Sequence, residues 1–283
     1  MKTRKADFAG SWYPSSASEC EKEIQNFLKS QLPAPSLGRR PVGGIVPHAG
    51  WFFSGSIACN VIKALADEPA PDVIFIFGMH LHPGSSSYLM KEGAWETPFG
   101  ELLIDETIAG QLAEKFPFVI ETPDNYTPDN TIELQLPFIK YFFQDCKIVP
   151  IGVPPNKKCM EIGAFTVKTA NRLGRRIKVV GSTDLTHYGL NYGFTPKGTG
   201  KEALDWVVNE NDRSVIDAML SMEPEKVLSE ALASQNACCA GAVTAAIAAG
   251  KQVGAKNAQM MAYATSYDKI PGNSFVGYVG IIF

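Results

Sequence analysis

The chemistry this chain can perform is concentrated at its four histidines, and each stands beside a short apolar run. His48 follows GGIV, His80 and His82 follow VIFIFG, and His187 comes soon after KVVGSTD. Such runs, bounded by turn residues and rich in Val and Ile, predict buried strands. In open α/β sheets, ligands sit in the crevice outside the carboxyl ends of the strands, so imidazoles distant in sequence are expected to share one cleft. A single histidine is most often held by a backbone carbonyl. Three strand ends feeding four histidines point instead to a functional cleft, and imidazole is the commonest metal-binding side chain.

Carboxylate and thiol partners lie close to the same positions. Asp184 in STDLTHY can orient a histidine, act as a general base or ligate a metal, or it can cap a turn. Cys238 in NACCAG is expected at the start of a helix, where free N–H groups and the macrodipole favour a thiolate, although Cys238 and Cys239 are also small enough to be packing residues. Glu133 in NTIELQLP falls in a first helical turn, and its neighbours Ile132, Leu134 and Leu136 turn it inward toward the cleft. Cys20, Cys59, Cys146 and Cys159 lie within helix or strand patterns and read as core. No CxxC pair occurs, which excludes a zinc ribbon, and the low cysteine density argues against a disulfide framework. A hydrolase is disfavoured because neither a GxSxG elbow nor an HExxH helix is present.

Apolar runs alternating with amphipathic stretches predict βαβ units, hence an α/β fold around a parallel or mixed sheet. Strands are expected at Gly44–Val46, Val73–Phe77, Lys147–Val153, Lys178–Gly181, Gln259–Ala264 and Phe275–Ile282. Helices are expected at about Ser54–Ala66, Ile108–Lys115, Ile132–Phe143 with a kink at Pro137, Met160–Leu173, Lys201–Ser221, Pro224–Leu232 and from Cys238 to Gly250. The segment SYLMKEGAWETPFGELLI predicts an inserted hairpin.

With no linker or internal repeat, residues 1–283 are expected to form a single domain. The 29 acidic and 26 basic residues give a net charge of −3, without the basic excess that nucleic-acid binding requires. The uncharged run Ala231–Gly250 contains Ser234, Gln235 and Asn236, too polar for a membrane span. MKTRKADFAGSWYP has no apolar stretch behind its basic residues, so a secretory signal is not expected and a cytoplasmic protein is.

Seven motifs in order carry a family resemblance: FAGSWYP (8–14), PHAGWFFSG (47–55), FGMHLHP (77–83), TPFGEL (97–102), NTIELQLPF (130–138), STDLTHYG (182–189) and NACC (236–239). Together they resemble the Memo family, known in prokaryotes as AmmeMemoRadiSam system protein B, whose fold is similar to class III extradiol ring-cleavage dioxygenases (LigB-like). The resemblance implies a three-layer fold, with a central, mostly parallel or mixed sheet and helices on both faces. It implies a mononuclear non-haem iron-type site, in which His48, His80 and Cys238 hold the metal and Asp184 and His187 are catalytic acid/base residues. Fe(II) is the expected ion, and the soft thiolate admits Cu or Zn. An oxygen-dependent oxidoreductase follows from that site. The turn Gly78-Met79-His80 is one residue shorter than the family's Gly-Pro-x-His turn, which leaves His82 as an alternative ligand, while the alignment of Pro83 favours His80. Asn130 stands where the family often has histidine, and Cys239 where glycine is common. The cleft is expected to take a small molecule or a peptide, and the second possibility defines an adaptor reading served by exposed aromatics among Trp12, Tyr13, Trp51 and Phe52. The prokaryotic family name further implies a radical-SAM partner.

Overall fold

The computed structural model describes residues 2–29, 32, 36–66 and 69–283. Among these, the strands are β1 (Thr3–Arg4), β2 (Gly43–Val46), β3 (Val73–Gly78), β4 (Ser87–Met90), β5 (Ala94–Thr97), β6 (Gly100–Leu103), β7 (Phe118–Glu121), β8 (Lys147–Gly152), β9 (Ile177–Ser182), β10 (His187–Tyr188), β11 (Gln259–Thr265) and β12 (Phe275–Ile282). The helices are α1 (Ala17–Phe27), α2 (Ser56–Ala64), α3 (Glu106–Lys115), α4 (Asn130–Glu133), α5 (Leu136–Phe142), α6 (Lys158–Arg172), α7 (Lys201–Trp206), α8 (Asp212–Leu220), α9 (Pro224–Ser234) and α10 (Ala240–Val253).

The main sheet runs β10-β12-β2-β9-β3-β8-β4-β7, with β11 also paired to β12. Its centre is parallel: β2 pairs β9, β9 pairs β3 and β3 pairs β8. β12 and β4 run antiparallel to β2 and β8, so the sheet is mixed. Central parallel strands are covered on both faces, which explains why GGIV and VIFIFG are continuous apolar runs without alternation. Helix α2 packs on β2 and β12, with α1 and α5 beside it, while α6 and α10 lie together with α10 on β9, β3 and β2. These helices on opposite faces make the three layers. The small residues of α10 (AGAVTAAIAAG) let it approach closely. A Cβ at Gly163 in α6 would stand 2.2 Å from the Ala245 carbonyl oxygen, so the two helices meet backbone to backbone. The part of the uncharged run from Ala240 onward is a buried helix, and no helix among the described residues is long and apolar enough to cross a membrane.

Five local expectations differ from the structure. SYLM is not part of the hairpin: β4 belongs to the main sheet, and only β5 and β6 form the hairpin, joined by β1 in a small second sheet. Phe118–Glu121 and His187–Tyr188 are strands that short length and mixed polarity conceal. Helix 132–143 is broken rather than kinked, because Pro137 sits in the first turn of α5, where its missing N–H is harmless. The segment after Gly200 keeps its helical course through a wide turn at Val207–Asn211 between α7 and α8. Finally, α10 starts at Ala240, leaving both Cys238 and Cys239 ahead of its first turn.

Candidate metal centre

Three neighbouring strands deliver the site at one level. Val46 pairs with Ser182, and Phe77 pairs with Gly181, so β2, β9 and β3 end side by side. His48, Asp184 and His80 each come two residues after such an end. At β3 the chain must turn back sharply. Met79 adopts a left-handed backbone with φ 72°, a conformation that disfavours a non-glycine residue by about 1–2 kcal/mol. Its N–H donates to Thr131 Oγ1 at 2.7 Å, and its buried side chain packs over Gly152, where a Cβ would collide with the sulfur. Gly78 is required for the same turn, since a Cβ there would stand 2.3 Å from Thr131 Oγ1. The strained turn brings His80 back over the strand end.

His48, His80, Cys238 and Cys239 thereby place one ligand atom each within 4.8 Å of all the others. His48 Nε2 lies 3.3 Å from Cys238 Sγ, His80 Nδ1 lies 3.4 Å from Cys239 Sγ, and the two sulfurs are 3.8 Å apart. Ser182 Oγ donates its only proton to the Thr131 carbonyl at 2.7 Å, so at 3.0 Å from His48 Nδ1 it must accept. Nδ1 therefore carries a hydrogen, and Nε2 is the nitrogen turned to the sulfurs. Asp184 Oδ1 accepts the His48 backbone N–H at 2.7 Å, and Oδ2 stands 3.9 Å from Nε2.

Electrostatics couple these groups. Burial opposes a charge on His48, but the Asp184 carboxylate and the Cys238 sulfur outweigh it and raise its pKa to about 9. Burial likewise works against a Cys238 thiolate, yet the hydrogen bond from Cys239 and the charge of His48 hold Cys238 well below the usual thiol range. Cys239, buried beside that thiolate, is driven well above it. The two shifts together favour the imidazolium form of His48 and the thiolate form of Cys238. Burial also raises Asp184. The helix start expected to activate Cys238 has no such role: its N–H is bonded to the Asp184 carbonyl at 3.1 Å, and the sulfur is governed by its side-chain neighbours.

The remaining expected residues divide. Asp184 and His187 line the same cleft of about 500 Å³ as His48 and His80, with Trp12, Phe52, Phe53 and Tyr192 among its walls. His187 Nδ1 lies 3.2 Å from the Leu185 carbonyl and donates to it, so Nε2 is left for the cleft. His82 is exposed outside the cluster and lines a second hollow that also reaches His80, His187 and Cys238. Glu133 does point inward, but away from the cleft: its carboxylate accepts the Asp7 and Phe8 N–H groups and the Tyr13 hydroxyl, fastening the segment that carries Trp12. Nothing in the sequence pattern marks Cys239 as a ligand beyond the CC doublet itself. Nor does the pattern mark Ser182 or Gln135, whose amide holds the Pro47 carbonyl at 3.0 Å. Asn130 supports the same loop through the His48 carbonyl at 3.2 Å.

Comparison with known proteins agrees with the seven motifs. The model of the Memo-like protein family matches residues 4–282. A MEMO1 family protein of Pyrococcus furiosus is 33% identical over 99% of this chain and 98% of its own length. Another, of Pyrobaculum aerophilum, is 31% identical over 100% and 99%. Among solved structures, an uncharacterized protein of Escherichia coli K12 shares the fold with a TM-score of 0.55 at 11% identity, covering 87% of this chain and 100% of the other.

Proposed function

The chain belongs to the Memo-like protein family, and from that premise we propose that it holds one transition-metal ion on His48, His80 and Cys238 and presents it to a small organic molecule in the adjoining cleft. What carries this reading is the convergence of imidazole and thiol donors within 4.8 Å of one another, with both imidazoles lining an aromatic cleft. Fe(II) is the ion the family resemblance implies, and the sulfur donors equally suit Cu(I) or Zn(II). A bound ion supplies Lewis acidity and, if it is iron, oxygen chemistry.

The protein's own groups do the rest. Ser182 fixes the His48 ring with Nε2 toward the ion, as partners of ligating histidines generally do. The proton shared by Nε2 and the Cys238 sulfur is released on metal uptake, so uptake weakens as pH falls. Buried Asp184, with its raised pKa, and His187, with Nε2 facing the cleft, are placed to hold and pass a proton beside the bound molecule. Trp12, Phe52 and Phe53 offer flat apolar walls suited to an aromatic ring. Loaded with Fe(II), the chain acts as an oxygen-dependent oxidoreductase in this reading.

A second reading, a binding protein that grips a peptide in the same cleft, is favoured by one observation: Phe52 is 64%, Tyr192 47% and Trp12 41% exposed at the cleft mouth. Anaerobic purification with elemental analysis, followed by oxygen uptake with catechol-like diols, separates the readings. Stoichiometric iron with oxygen consumption supports the oxidoreductase. Full metal loading without turnover of any diol favours the peptide binder, and a chain that takes up no metal refutes the proposal.

A further inference from the structure

Resting on the metal-binding reading, we infer that Cys239 is a fourth ligand of the same ion, closing the site in this chain as a tetrahedral centre of two nitrogens and two sulfurs. The distances among the donors carry this. Zinc-like ions bind sulfur at about 2.3 Å and imidazole nitrogen at about 2.05 Å, so tetrahedral bonding sets neighbouring N and S atoms about 3.6 Å apart and two sulfurs about 3.8 Å apart. Here the two N to S distances are 3.3 and 3.4 Å, and the sulfurs are 3.8 Å apart. Cys239 Sγ lies against His80 Nδ1, as Cys238 Sγ lies against His48 Nε2. The donors thus form two N–S pairs bridged by the S–S edge.

The backbone is arranged to aim both sulfurs at once. The Cys238 N–H is held by the Asp184 carbonyl and the Cys239 N–H by Thr183 Oγ1, each at 3.1 Å. Thr183 spends its own proton on the Asp184 carbonyl at 2.7 Å, so it is locked as the acceptor. Between these anchors, Cys239 takes a non-helical backbone with φ −121° and ψ 55°, which turns its side chain toward the imidazoles instead of letting α10 begin one residue earlier. Cys239 is as buried as the other four cysteines, but among the described residues those four join no cluster of His, Cys or carboxylate donors. A closed N2S2 set selects ions content with four soft or borderline donors, Zn(II) or Cu(I), over Fe(II), so with Cys239 bound the ion meets a molecule in the cleft by expanding to five ligands, and the iron oxidoreductase branch of the proposed function gives way.

The test is anaerobic titration of the full chain with Co(II), read by absorption, and competition with Zn(II). The unaltered chain should show thiolate-to-cobalt charge transfer together with the intense visible bands of a four-coordinate ion. In Cys239→Ala the charge-transfer intensity should fall by about half, as two thiolates become one, and the visible bands should weaken as water completes the shell. Zinc affinity should drop at least about tenfold, the lower end of what outer-shell losses already produce. Cys239→Ser, closer in size, repeats the measurement should the alanine variant fail to fold. Unchanged bands and zinc affinity in a folded variant overturn the role of Cys239 while leaving the three-ligand site intact. An unaltered chain that takes up neither cobalt nor zinc overturns both.

Discussion

Asp212 offers a test of how the loop bearing Asp184 and His187 is held. This carboxylate is fully buried; Oδ1 accepts the Thr186 N–H and hydroxyl, and Oδ2 accepts the Tyr263 hydroxyl at 2.7 Å. Burial raises its pKa from 3.8 to about 6, against the hydrogen bonds of Thr186 and Tyr263. Because the folded value is the higher one, its stabilising contribution is complete below 3.8 and is lost as pH rises through about 6. Linkage arithmetic on those two values makes the folded state about 1.4 kcal/mol better off from this group at about pH 5 than at about pH 7.5. Asp212→Asn removes the titration but not the geometry: the amide oxygen keeps Thr186, and the amide nitrogen donates to Tyr263, whose hydroxyl reverses. The stability of the variant minus that of the parent should therefore fall by about 1.4 kcal/mol between about pH 7.5 and pH 5, read from urea midpoints of both proteins. Groups common to the two cancel in that difference. A difference constant within about 0.5 kcal/mol, or one that grows toward acid, would refute the assignment of a costly buried charge.

Three further outcomes are expected. His80→Ala should abolish tight metal binding and His82→Ala should preserve it, by elemental analysis of the purified variants; the opposite pattern would move the ligand to His82. Ser182→Ala should weaken metal binding about 10–100-fold without eliminating it, because the His48 ring loses the acceptor that sets its tautomer; an unchanged dissociation constant would count against that coupling. Glu133→Ala leaves two amides and a buried phenol without their acceptor, a loss of about 3 kcal/mol visible as a lower unfolding midpoint, and it should alter the fluorescence of Trp12 while sparing metal content. Equal stability would show that the N-terminal segment is held by something else.

The sequence announced the elements that are buried on both sides and concealed those that are not. GGIV, VIFIFG and IKVVGS are read as strands because parallel central strands lose the polar alternation that competes with a helix reading. His48, His80 and Asp184 were legible for the same reason, since they follow strands whose ends are unmistakable. FVIE at the sheet edge and the two-residue strand at His187 carry too little pattern to be distinguished from loop. Glu133 was recognised as inward-facing, but the direction depended on a partner more than a hundred residues away, the Asp7–Tyr13 segment, and no local pattern encodes that. Cys239 was obscured by its neighbour: α10 was expected to start at Cys238, which would have turned the two side chains apart, and only the bonds to Thr183 and Asp184 hold them together.

The separation of the donors along the chain fixes when the centre can exist. His48 and Cys238 are 190 positions apart. At synthesis rates of about 5–20 residues per second, the first imidazole waits about 10–40 s for its sulfur. Even then β2 has an uncovered neighbour position until β12, which follows both cysteines, is made and pairs with it. A nascent chain therefore carries both histidines before it has the two thiols of the cluster. In the proposed metal-binding reading, the full donor set is a property of the finished fold and not of the emerging chain.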